Sequence, residues 1–198
     1  MQFILKPAGL VVVLTLVTGL AVMAFGKLFA HPTLVSTTKP VQLGGDPLIV
    51  PDAEKWTLSS QKPAAAEMTM FLDNSLPSDP HALHLMVKSV DPVKYWAAQL
   101  IKRVPNAVEA KHSMTVRFWG RSKTRTPAYI VFEDGASPHA SELSQVVHFT
   151  PDWKLYECPF VTTKDHTDIH ANFCVKAGIS PGEIDLSNMQ VNDNGITG

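Results

Sequence analysis

The chain has 198 residues and a net charge of −1, with its 17 lysines and arginines scattered along the sequence. That distribution argues against a nucleic-acid partner, which needs a basic stripe or patch. Fifteen prolines and eleven glycines fall between short apolar runs, which reads as an all-β chain with many turns and not as disorder.

The N-terminus is a separate physical object. From Ala8 to Gly26 there is no charged residue, and Lys6 and Lys27 bracket the run. Ten of its residues are Leu, Val or Phe, each favouring insertion by roughly 0.3–0.6 kcal/mol. A helix of this length spans about 28 Å, close to the hydrocarbon thickness. Two readings compete. Ala24-Phe25-Gly26 offers small residues to a signal peptidase, but the apolar run is longer than the roughly 7–15 residues usual in a signal peptide. Length therefore favours a retained single-span anchor, with Ala8, Leu10, Val13, Leu16, Leu20 and Phe25 among its membrane-facing residues. Lys6 and the terminal amine tilt the N-terminus towards the cytoplasm. The C-terminal domain is then expected on the extracytoplasmic, periplasmic side of a bacterial-type inner or plasma membrane.

Residues 28–52 show no periodicity and carry Pro32, Pro40, Pro47 and Pro51, so they are expected to be an extended tether. The domain proper is expected over 53–194, with 195–198 a tail. Its roughly 140 residues bury about two thirds of the unfolded surface, so no metal or disulfide staple is required. Short strands follow in quick succession: Ala65–Leu72, Ala82–Val90, Val93–Ile101, Asn106–Ala110, Ser113–Ser122, Ala128–Glu133, Gln145–Phe149, Trp153–Phe160, Ile169–Val175 and Glu183–Val191. About ten short strands with polar turns and no sustained helical period mean a two-sheet sandwich or a closed barrel. The clearest is Ser113–Ser122, where Met114, Val116 and Phe118 alternate with Thr115, Arg117, Trp119 and Arg121. A period of two over this length is a strand with one buried face.

Four stretches in order carry a resemblance: Tyr95-Trp96-Ala97-Ala98-Gln99-Leu100, Met114 to Ser122, Asp152-Trp153-Lys154-Leu155-Tyr156 with Phe160, and Ile184-Asp185-Leu186-Ser187-Asn188-Met189. Together they resemble the family 4/9 carbohydrate-binding modules over roughly Trp56 to Asn192. The resemblance implies a jelly-roll β-sandwich with one face able to bind a polysaccharide chain. Met114 stands where the family usually has an aromatic. Ser187 stands where it usually has an aspartate, which counts against the structural calcium many of these modules carry.

Strand parity names a candidate ligand face. With Met114, Val116 and Phe118 inward, Trp119 and Arg121 point outward. Ala128, Ile130 and Phe132 read as core, which turns Tyr129 and Glu133 outward on the next strand. Gln99 and Asn172 join them if their strands share the sheet. Aromatic rings stack on the C–H faces of sugars, while Arg, Glu, Gln and Asn satisfy hydroxyls. The competing arrangement has Trp119 covered by the tether or a loop and Arg121 neutralising Glu133.

Other groups carry less. Asp165-His166-Thr167-Asp168-Ile169-His170 contains metal-capable residues but reads as a solvated loop. His81 and His84 have no third partner in sequence, so no metal site and no cofactor are expected. There is no nucleophile elbow, phosphate-cradling glycine loop or placeable carboxylate pair, so no catalytic residues are expected. Parity points Cys158 inward with Tyr156 and Phe160 and Cys174 the other way, so two free thiols are expected. An anchored β-sandwich without an enzyme domain reads first as an accessory, interaction subunit of a larger membrane or extracytoplasmic assembly. The alternative is a cell-surface or periplasmic carbohydrate-binding protein using the Trp119, Arg121 and Tyr129 face. The partners expected are thus the lipid bilayer, subunits of a membrane complex and, on the second reading, polysaccharide.

Overall fold

The structure is a computed structural model that describes residues 45–51, 55–77, 79–167 and 170–197. The predicted anchor and residues 28–44 of the predicted tether lie outside the described residues. Among the described residues no helix is long and apolar enough to cross a membrane.

Eleven strands form two antiparallel sheets. They are β1 (Asp46–Ile49), β2 (Thr57–Ser60), β3 (Ala65–Leu72), β4 (His81–Ser89), β5 (Ala98–Arg103) and β6 (His112–Arg121), followed by β7 (Pro127–Asp134), β8 (Ser141–His148), β9 (Lys154–Val161), β10 (Ala171–Lys176) and β11 (Gly182–Ile196). One sheet runs β3-β4-β11-β6-β9, with β1 added beside β11, and the other runs β2-β5-β10-β7-β8. Consecutive strands often cross from one sheet to the other, which is the jelly-roll pattern.

The alternation read from the sequence is what seals the two sheets together. Met114, Val116 and Phe118 of β6, Leu83, Leu85 and Val87 of β4, and Ile184 and Leu186 of β11 supply one side of the core. Leu100 of β5, Ala128, Ile130 and Phe132 of β7, and Phe173 and Val175 of β10 supply the other. Phe118, Phe132 and Phe173 are among the largest fully buried side chains, and truncating such a ring to Ala costs about 3–5 kcal/mol.

Two irregularities have local causes. The pairing of β11 with β6 shifts between Ser187 and Gln190, so Asn188 and Met189 together face Phe118. Asn188 takes the left-handed conformation, φ 51°, that asparagine tolerates. The bulge lets Ile184 and Leu186 before it and Met189 and Val191 after it all reach the core. On β6, a side chain at Gly120 would put its Cβ 2.5 Å from Cε1 of buried Phe149, so only glycine fits there.

Three expectations are corrected. Residues 46–49, expected in the tether, form β1 against Val191–Asp193. β1 pairs on one side only, and such an edge position accommodates Pro47. The expected strand Asn106–Ala110 is reduced to one bridge, Val108 to His166. Val93–Ile101 begins instead with a single 3₁₀ turn, Tyr95–Ala97, before β5. β2 (Thr57–Ser60) was not expected from the sequence.

Candidate glycan-binding face

The six candidate residues divide between the two sheets. Trp119 and Arg121 lie on β6, whereas Tyr129 and Glu133 lie on β7 in the opposite sheet. β6 and β7 follow one another in sequence but do not pair, so these residues share no face. Gln99 on β5 and Asn172 on β10 do share a sheet with Tyr129 and Glu133.

Arg121 is held by its own neighbours. Its Nε lies 2.7 Å from Asp185 Oδ2 and its Nη1 2.9 Å from Asp73 Oδ2. The guanidinium sits over the Trp153 ring, 4.5 Å from the centroid, and the Trp153 indole N–H donates to Asp73 at 3.0 Å. His84 Nδ1 lies 2.6 Å from the other oxygen of Asp185. These bonds tie the loops containing Asp73 and Trp153 to the six-stranded sheet, and Arg121 has its acceptors supplied from within. Trp119 is half-buried, opposite Ser187 and Leu155. Arg121 therefore does not neutralise Glu133.

The outer face of the five-stranded sheet is built differently. Register places its side chains in three full rows across the strands, with Pro127 and His148 paired in a short row beyond the first. The first is Ser59, Gln99, Lys176, Tyr129 and Val146; the second is Thr57, Ile101, Cys174, Val131 and Ser144; the third is Arg103, Asn172, Glu133 and Ser141. Aromatic rings gather at the first row. Tyr95, from the 3₁₀ turn before β5, packs on Tyr129 with centroids 4.5 Å apart at 38°. Trp96 meets Tyr95 edge-on at 5.1 Å and is 37% exposed. The turn is fixed by the backbone, since the amide of Gly178 donates to the Tyr95 carbonyl at 3.0 Å, and a Cβ at Gly178 would clash with that carbonyl. In the same row, across Lys176 from Tyr129, Gln99 is 9% exposed and its Oε1 has no hydrogen-bond partner.

Glu133 finds its cation in Lys176, with Nζ donating to Oε2 at 2.6 Å. Cys174 Sγ lies 3.6 Å from the other carboxylate oxygen. Burial pushes the Cys174 thiol up to about 12, with the Glu133 charge adding to it. Cys158 is in the core beneath the other sheet, and burial raises its thiol to about 11. The two thiols are free and on different sheets, Cys174 facing outward as parity required.

Tyr95, Trp96 and Lys176 were not among the sequence candidates. Lys176 had a signal, because it lies four residues after Asn172 and shares its parity. Tyr95 and Trp96 had none of this kind, because a 3₁₀ turn breaks the period of two. His166 is also corrected. It is buried and not solvated, with Nδ1 2.7 Å from Asp134 and Nε2 3.3 Å from Glu142, and it pins the 162–167 loop to β7 and β8. Among the described residues no cluster of His, Cys, Asp and Glu has an arrangement that could hold a metal ion.

The sequence matches no protein-family model and no curated protein. Solved structures do match. A CBM4 structure aligns over 75% of this chain and 94% of its own, at 14% identity and a TM-score of 0.56. The second N-terminal cellulose-binding domain of β-1,4-glucanase C from Cellulomonas fimi aligns over 76% and 96%, at 13% identity and 0.55. The family 11 carbohydrate-binding module of a cellulosomal cellulase of Clostridium thermocellum aligns over 76% and 96%, at 11% identity and 0.54. At such identities the likeness is one of fold: the described residues form a jelly-roll β-sandwich similar to the carbohydrate-binding modules.

Proposed function

We propose that this chain is a non-catalytic carbohydrate-binding protein and that its binding face is the outer face of the five-stranded sheet at Tyr95, Trp96, Tyr129 and Gln99. The observation that carries the reading is the Tyr95–Tyr129 pair with Trp96 at its edge, set beside the unpartnered Gln99 acceptor. Ring faces for C–H groups next to a polar atom for hydroxyls are the two halves of sugar recognition. The three modules named above support the same reading, through fold alone.

The accessory-subunit reading draws on sequence features only, and none of the three named structures is such a subunit. The uncharged run Ala8–Gly26 supports a single-span anchor holding the module at the extracytoplasmic side of a membrane. In that setting the protein would keep a glycan close to the membrane, with no enzyme domain required in the same chain.

Affinity electrophoresis tests the reading. The full-length protein is run through gels containing mixed-linkage β-glucan, xylan or arabinan. At least one polymer is expected to retard it, Tyr129→Ala to abolish the retardation, and Trp119→Ala to leave it unchanged. Equal loss with Trp119→Ala would move the site to the other sheet. No retardation by any neutral polysaccharide, together with no binding of the oligosaccharides derived from them, would overturn the proposal.

A further inference from the structure

Resting on that reading, we infer that the face accommodates one neutral sugar ring, at the end of a chain or in a short oligosaccharide, and not a length of polymer, with Gln99 as the residue that selects it.

The Lys176 side chain spans rows of this face. Its Cα sits in the first row, opposite Gln99 and Tyr129, yet its Nζ bonds Glu133 in the third. The four-carbon stem therefore lies along the face and crosses the second row. Cys174 and Val131 of the second row, on the outside of the sheet, are each only 1% exposed, and Lys176 itself is 7% exposed. An apolar stem over a thiol and a valine offers nothing to sugar hydroxyls and occupies the path a polymer would follow along the strands.

The first row is what remains. Tyr129 stands in it with Tyr95 and Trp96 gathered on it from the 3₁₀ turn, and among the described residues the one other aromatic side chain in the rows of this face is His148, in the short row beyond. A bound polymer draws on a separate stacking platform for each of several sugars, and this cluster is one platform.

Gln99 supplies the selectivity. An acceptor that is more than nine-tenths buried and unpartnered is a cost the fold carries until a donor arrives. Oε1 accepts and cannot donate, so its complement is a hydroxyl hydrogen of a sugar lying along the first row, where Gln99 and Tyr129 stand on either side of Lys176. The Lys176 charge is neutralised by Glu133, so the first row has no net charge with which to favour an anionic sugar. A site built to bond a particular hydroxyl discriminates sharply against the analogue without it.

Calorimetry on the full-length protein tests this with methyl glycosides of glucose, xylose, galactose, mannose and arabinose, and with the di- to hexasaccharides of β-glucan, xylan and arabinan. In the series that binds, affinity is expected to level off by the disaccharide, changing less than threefold out to the hexasaccharide. Gln99→Leu is expected to weaken the methyl glycoside at least tenfold and to lose discrimination against one of its monodeoxy forms. A tenfold or greater gain from di- to hexasaccharide in the unmodified protein overturns the inference while leaving sugar binding in place, and that arm needs no variant. Unchanged binding by a folded Gln99→Leu protein also overturns it. Silence across all series, with no retardation in the polysaccharide gels, removes the functional reading itself.

Discussion

Lys176 reaches along the outside of the five-stranded sheet to donate to Glu133 at 2.6 Å, and both side chains are less than a tenth exposed. Two charges so far from water are held by each other, and removing either leaves its partner buried and uncompensated. Lys176→Met is therefore expected to destabilise the protein by about 3–5 kcal/mol, and Lys176→Met combined with Glu133→Gln to recover most of that loss. Urea midpoints of the two single variants and the double variant decide it. A double variant as unstable as the sum of the singles would mean the pair does not act as a unit.

Asp73 gives the protein an acid-sensitive joint. Its carboxylate accepts from the Ser75 hydroxyl, the Trp153 indole and the Ser75 amide, with the Arg121 guanidinium alongside, and these hold it down at about 2. A carboxyl depressed in the folded state contributes stability in full above its ordinary value of 3.8. That contribution is lost as pH falls through the folded value. The unmodified protein should therefore lose stability between about pH 4 and pH 2 more steeply than Asp73→Asn, which has no proton to gain at this position. Urea midpoints across that window give the two slopes, and parallel curves would refute the assignment.

The thiols provide a check on sheet assignment. Burial raises Cys158 to about 11 and Cys174 to about 12, so neither presents thiolate near neutral pH. Native protein at pH 8 is expected to resist iodoacetamide at both positions. In denaturant without reductant, both should label to completion. Label appearing only after reduction would show a bridge and place the two strands differently.

Periodicity alone carried a good part of this fold. The strand expected over Ala65–Leu72 has those ends in the structure, and the inward sets Met114, Val116, Phe118 and Ala128, Ile130, Phe132 are all buried. The outward direction of Tyr129 and of Cys174 followed from the same parity. Local rules also explain what was missed: β1 is four residues long with a proline at its second position, and β2 is four residues with no clear alternation.

Sheet membership was beyond the reach of parity. Trp119 and Tyr129 both face outward and stand ten residues apart, yet β6 pairs with β9 and β11 while β7 pairs with β8 and β10. The sequence by itself determined which side of its strand each residue occupies, because successive side chains must point to opposite faces of an extended backbone. Only the tertiary structure decided which strands lie side by side, and so which outward residues meet. That choice is made by hydrogen bonds between backbone groups common to every residue, across separations such as the 39 positions between Glu133 and Asn172, and no local pattern of side chains records it.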